Sequence, residues 1–295
     1  SCLYYYIDSL KRLMLFDCFL YFNEKELLEL RYELLKDVVD GFIITDADRT
    51  FKGDPKPFTC VDTLRELGIP EDKVQVLHVE LPSKEEIFSP WAREYAQRDA
   101  LAVGMRMTPP DSVFFFSDVD EIPRPEALIE GARIAKDSPD RCIRLSMPML
   151  YGRADLRVTD PNGDDTKAPN NWICGTFVLH EHLNGETLSQ IRRNPNDCIY
   201  GNCDAGWHFS WMGGPDRHKT KVQSFSHCYD VIPNAVAPAD SQEMLDFMDK
   251  YKAEAGATDP LGRTDHILVD YPHEFLPPEL FRIDRVRSFL LPTSN

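Results

Sequence analysis

From Met14 to Tyr21 the chain is apolar with β character, and over 23–36 the apolar positions Leu27, Leu30, Leu34 and Leu35 fall at helical spacing. Val38 to Thr45 returns to strand character. A second helix is predicted over 61–67, ending at Gly68, then an alternating strand from Lys73 to Val79 and a long helix from about 90 to 106. Val113-Phe114-Phe115-Phe116 is a continuous apolar run, as a parallel strand buried on both faces requires. Pro123 and Pro125 then place the next helix start near Pro125. This alternation predicts an α/β fold, a mostly parallel sheet covered by helices. The second half is less regular. Gly152 to Asn171 is rich in Asp, Asn, Gly and Pro and reads as a long loop of the kind that forms lids or binding elements. Short strands are predicted near 173–180, 206–211 and 221–227, and a helix over about 241–253. With no repeat and no linker, the chain reads as one domain over 1–295.

Composition narrows the function. A chain of 295 residues, 42% hydrophobic and 28% charged, can bury a large core. Its net charge of −16 opposes nucleic acid as a partner, and no basic run offsets it. A phosphate recognised here is therefore expected to be small and metal-neutralised. The longest apolar run, Leu13 to Phe16, is interrupted by Asp17, so no membrane span is expected in this chain; an anchor ahead of Ser1 stays open. The eight cysteines (2, 18, 60, 142, 174, 198, 203 and 228) are scattered without a CxxC pair, which argues against structural zinc. Cys18, Cys142 and Cys174 read as small buried hydrophobes, and Cys198 with Cys203 as a loop bridge if the compartment is oxidising. The sequence has no Asn-x-Ser/Thr acceptor. That favours a cytoplasmic setting over a Golgi lumen with a removed anchor.

The candidate chemistry sits after the Phe run. In open α/β sheets ligands bind beyond the carboxyl ends of the strands, which places Asp46, Asp48, Asp118 and Asp120 near one cleft. In Asp118-Val119-Asp120-Glu121 the two aspartates point to one side while the chain stays extended and can share an ion. Such oxygen ligands suit Mg²⁺ or Mn²⁺, which clamp phosphate oxygens. Helix capping is the plainer alternative, but a helix starting near Pro125 leaves Asp118 and Asp120 too early to be caps. Paired aspartates alone also fit a Mg-dependent phosphohydrolase or nucleotidyltransferase, although Ile122 stands where a haloacid-type Asp-x-Asp-x-Thr motif has threonine. A non-catalytic sugar-binding domain is the third reading.

The context of the motif discriminates among these. The string Phe115-Phe116-Ser117-Asp118-Val119-Asp120-Glu121-Ile122-Pro123-Arg124-Pro125 resembles the core signature of glycosyltransferase family 17. Other blocks resemble the family in the same order: Phe16-Asp17-Cys18-Phe19 through Leu30-Arg31, Thr50-Phe51-Lys52-Gly53-Asp54-Pro55-Lys56-Pro57, Trp91-Ala92-Arg93-Glu94 with Gln97-Arg98-Asp99, Gly206-Trp207-His208-Phe209-Ser210, and Lys221 to His227. The resemblance covers roughly 15–285. It implies a GT-A fold, a Rossmann-like mixed sheet flanked by helices, with a nucleotide-binding half over about 14–122 and an acceptor-side half over about 123–290. It also implies a UDP-sugar donor, Mn²⁺ or Mg²⁺, and inverting transfer of GlcNAc from UDP-GlcNAc to a glycan acceptor with β linkage.

Asp118 and Asp120 would hold the metal, and similarity to the wider GT-A pattern points to His227 as third ligand. Arg98 is the preferred contact for diphosphate or uracil, with Arg93 as the alternative and Lys56 and Lys221 behind them. Asp46, or equally Asp48, is placed for the base or ribose. The general base is left among Asp204, Glu121 and His208, none singled out by spacing. Trp207 reads either as a ring stacked on sugar or base or as a core tryptophan.

Overall fold

The computed structural model describes residues 13–159, 171–194, 198–200, 204–226 and 267–290. The first half follows the predicted alternation: β1 (Leu15–Tyr21), α1 (Lys25–Leu35), β2 (Gly41–Ala47), α2 (Cys60–Glu66), β3 (Val74–Val79), α3 (Pro90–Arg106) and β4 (Val113–Asp118). The strands lie in the order β3-β2-β1-β4, all parallel. Burial on both faces explains their apolar sequences. Phe19, Ile44 and Phe115 pack with Leu27 and Leu30 of α1 and Leu64 of α2, whereas Cys18, Ile43, Phe114 and Phe116 pack with Leu101 and Met105 of α3. Phe114, Phe115 and Phe116 are each 0% exposed, a burial worth about 1.5–3 kcal/mol per ring. α3 starts as its sequence dictates: Pro90 occupies the first turn and the Ser89 hydroxyl accepts from the Ala92 N–H.

Beyond β4 come β5 (Glu121–Pro123), α4 (Pro125–Asp137), β6 (Cys142–Tyr151), β7 (Leu156–Thr159), β8 (Asn171–Leu179), α5 (Leu188–Arg193), β9 (Cys198–Tyr200), β10 (Gly206–Ser210), α6 (Gly214–Ser224) and β11 (Ile267–Asp270). The sheet continues from β4 through β8, β6, β7 and β11 by antiparallel pairing. β10 runs parallel to β6 and antiparallel to β5. With α4 on the same face as α1, this is the mixed α/β sheet flanked by helices expected from the sequence.

Three local expectations are corrected. Residues 142–151, assigned no element from the sequence, form the long strand β6. The predicted strand over 221–227 is instead the end of α6, because Gly213, left-handed at φ 94°, and a proline in the first turn start a helix that runs to Ser224. The apolar residues Val222 and Phe225 lie three apart, a helical and not a strand spacing. The expected loop over 152–171 contains β7; its remainder over 160–170, and the helix predicted over 241–253, lie outside the described residues. Cys18 and Cys60 are buried free thiols and Cys142 is only half-buried. The suggested Cys198–Cys203 bridge and the side chain of Cys174 lie outside the described side chains.

Gly206 is a position where only glycine fits. A Cβ there would press into the Ile122 carbonyl oxygen and lie 2.7 Å from Pro123 Cα. Its absence lets β10 close on β5 and brings His208 opposite Glu121.

Candidate active site

The acidic turn is held from beneath by one buried arginine. Arg31 of α1 is 0% exposed and forks onto Asp17 of β1, with Nε to Oδ2 and Nη2 to Oδ1 both at 2.7 Å. Its remaining donors meet the turn itself: Nη2 reaches Ser117 Oγ at 2.7 Å, and Nη1 reaches the carbonyls of Asp118 at 2.7 Å, Val119 at 3.3 Å and Glu121 at 3.2 Å. Carbonyls that leave a strand for a turn need partners when buried, and a guanidinium supplies several at once. From the other side, Phe209 of β10 donates its N–H to the Asp120 carbonyl at 2.8 Å.

So fixed, the side chains of Asp118, Asp120 and Glu121 face a cleft of about 420 Å³, lined also by Trp91, Trp172, Arg192, His208, Trp211 and Lys221. Asp118 Oδ1 is 3.1 Å from Arg98 Nη2 and its Oδ2 is 2.8 Å from Arg192 Nη2. Arg98 is itself pinned by Glu94 at 2.6 Å. Asp120 Oδ2 lies 3.2 Å from Lys221 Nζ and 3.6 Å from His208 Nε2. Glu121, almost wholly buried, accepts from the Trp172 indole at 2.7 Å, the Asp118 N–H at 2.9 Å and both terminal nitrogens of Arg192 at 3.0 and 2.7 Å. Trp211, with φ 60°, is a non-glycine residue in the left-handed region. Such strain, of order 1–3 kcal/mol, clusters at functional sites.

Electrostatics follow from this packing. Burial by itself would raise both aspartates, but Arg192 and Arg98 around Asp118, and Lys221 and His208 around Asp120, outweigh it and hold both carboxyls below their ordinary range. Groups whose folded pKa is depressed stabilise the fold above the unfolded pKa and lose that contribution as pH falls through the folded value. The urea midpoint is therefore expected to drop steadily below about pH 4. The double variant Asp118→Asn/Asp120→Asn should show a flatter dependence there; curves that stay parallel would show that these carboxyls carry no acid-linked stability.

Two carboxylates meeting at one cleft are a donor set that fits Mg²⁺ or Mn²⁺. Among the described residues no group of three His, Cys, Asp or Glu side chains is placed to enclose an ion, and His227, the expected third ligand, lies outside them.

The structure brings the candidates Asp118, Asp120, Glu121, Arg98, His208 and Lys221 together and sends others elsewhere. Asp46 is 0% exposed and faces the start of α2, accepting from the Thr59 and Cys60 N–H groups at 2.7 and 2.8 Å. Its other oxygen is paired with Lys56 at 2.7 Å, so both residues serve the scaffold. Asp48 accepts from the Leu81 N–H at 2.9 Å. Arg93, also 0% exposed, ties two loops by donating to the carbonyls of Pro82 at 2.7 Å, Phe51 at 3.0 Å, Ser83 at 2.8 Å and Ile87. Asp204 is exposed and paired with Arg124 at 2.9 Å. Trp207 is a core tryptophan, its indole N–H on the Phe275 carbonyl at 2.8 Å and Arg124 over its ring at 4.2 Å; alternation along β10 turns it away from His208. The sequence reading missed Arg192, Trp172 and Trp211. A Thr187-x-x-Gln190 capping box marked the short helix that carries Arg192; nothing local marked the two tryptophans.

In this α/β protein the paired carboxylates and the cations around them sit beyond the carboxyl end of a parallel strand, the place where open α/β sheets bind ligands. Residues 5–151, just under half of the chain, match the model of Glycosyltransferase family 17. Over 114 residues the chain is 30% identical to mouse beta-1,4-mannosyl-glycoprotein 4-beta-N-acetylglucosaminyltransferase, a match covering 36% of this chain and 21% of the relative. The human enzyme of the same name is 29% identical over the same lengths. The match thus spans about a fifth of these relatives' length. Among solved structures, S. aureus TarS superposes with a TM-score of 0.40 at 12% identity, over 72% of this chain and 40% of that one. A 4-diphosphocytidyl-2C-methyl-D-erythritol synthase does so at 0.38 and 11%, over 64% and 90%. Among the described residues no helix is long and apolar enough to cross a membrane.

Proposed function

We propose that the chain is a metal-dependent, inverting glycosyltransferase that moves GlcNAc from UDP-GlcNAc to a glycan acceptor. The observation that carries this reading is the meeting of Asp118 and Asp120 in one cleft with Arg98, Arg192 and Lys221 around them. The match of residues 5–151 to the family model supports it. Asp118 and Asp120 would hold Mn²⁺ or Mg²⁺, which when bound supplies positive charge to the diphosphate leaving group. Arg98, pinned by Glu94, and Lys221 present fixed cations to the same charge.

In an inverting transfer the acceptor oxygen bonds to the anomeric carbon as the bond from that carbon to the diphosphate oxygen breaks, and the hydroxyl proton passes to a base. His208 is the candidate that remains, its imidazole lining the cleft with Nε2 3.6 Å from Asp120. Both Glu121 oxygens are already engaged by strong donors, and Asp204 lies outside the cleft.

The test is UDP release from UDP-GlcNAc over a panel of glycan acceptors, with Mn²⁺ and with EDTA. Release that needs both metal and acceptor is expected; metal-independent release, or UMP or phosphate in place of UDP, would sink the reading. His208→Asn is expected to lower kcat by about 10²–10⁴-fold while leaving the affinity for UDP within about twofold. An unchanged kcat would remove His208 as the base.

A further inference from the structure

Arg192 stands in the cleft on a helix that is firmly built in. α5 opens with the Thr187–Gln190 capping box. Its Ser189 N–H donates to Asp99 of α3 at 2.8 Å, and Arg144 of β6 donates to the carbonyls of Ile191 and Asn194, the latter at 2.7 Å. The guanidinium is fixed in turn by Glu121, which takes Nη1 on one carboxylate oxygen and Nη2 on the other. Nη2 also reaches past Glu121 to Asp118 Oδ2 at 2.8 Å.

These two contacts differ in kind. Glu121 is 0% exposed and grips both ends of the fork, so the pairing survives as long as the fold does. Asp118 is partly exposed and already has Arg98 as a second cation, so it can give up Arg192 without being left unpaired. The N–H that Arg192 now directs at Asp118 can therefore turn to a ligand anion. Charge agrees with this. Asp118, Asp120, Glu121 and Glu94 are set against Arg98, Arg192 and Lys221. An anionic diphosphate arriving with a divalent cation loads this cluster with little change in its balance.

Resting on the glycosyltransferase reading, we propose that Arg192 binds the donor's diphosphate and that Glu121 is its positioning residue, Asp118 holding the arginine until the donor arrives. A forked guanidinium clamped by Glu121, with an N–H that Asp118 can release, suits phosphate oxygens better than a flexible lysine does.

Isothermal titration of the whole chain with UDP and with uridine, both in saturating Mn²⁺, tests the assignment without recourse to turnover. Arg192→Gln is expected to weaken UDP by about tenfold or more and uridine by less than about twofold, because uridine has no phosphate. Arg192→Lys, which keeps the charge and loses the fork, should fall between wild type and Arg192→Gln, and it serves as the test if the glutamine variant melts early. Glu121→Gln should weaken UDP selectively in the same way, with uridine again falling by less than about twofold. UDP affinity unchanged in Arg192→Gln, or UDP and uridine falling together, overturns the assignment and leaves the glycosyltransferase reading standing. Wild-type chain that binds UDP no better than uridine overturns both.

Discussion

Asp120→Ala is expected to lower metal-dependent UDP release by about a thousandfold or more, the scale on which removing a fixed stabiliser of a developing charge acts. Asp120 is buried at the cleft with Lys221 and His208 on one oxygen, and no other described carboxylate stands where it does relative to Asp118. The fold should survive. Lys221 keeps a third of its side chain in solvent and can hydrate once its partner is gone, so the melting temperature is expected to move little. Rate and melting curve measured on the same preparation check both halves. Release within about tenfold of wild type would remove Asp120 from the metal site, and collapse of the fold would make it a structural acid.

Arg31→Met is expected to act in the opposite manner, on stability first. Breaking a buried ion pair leaves an uncompensated charge and costs about 3–5 kcal/mol. Here Asp17 would be left at 0% exposure together with Ser117 and the carbonyls of Asp118, Val119 and Glu121. Urea denaturation measures the loss. The double variant Asp17→Leu/Arg31→Met should recover part of it, because no buried charge then remains, but it should not restore Mn²⁺ binding, since the turn carbonyls still lack their donor. A single variant within about 1 kcal/mol of wild type would show that the turn holds itself.

The pattern of apolar positions was enough to read the first half of the fold. β1, β2, β3 and β4 and the helices between them are encoded locally, by continuous apolar strands, by helical leucine spacing and by prolines at helix starts. β6 was not legible. Its residues Arg144 and Ser146 interrupt the apolar run, and they are buried only because β8, β9 and β10 surround the strand. α6 was misread because its sequence is polar and its start depends on backbone geometry at Gly213.

The site divides along the same line. By itself the sequence determined the acidic motif, its place at the end of a buried strand and the resemblance of residues 5–151 to the family model. The reason is that ligands at a strand end and carboxylates spaced by two follow from local geometry. Which charged residues join that motif was decided by tertiary structure alone. Asp46, Lys56 and Arg93 were candidates beside Arg98 in one dimension, yet packing turns Asp46 and Arg93 onto backbone groups and pairs Lys56 with Asp46. Arg31 and Arg192, from a helix before the motif and a short helix long after it, are brought to it by the sheet. An ion pair depends on a few ångströms of separation, and only the folded chain sets that distance.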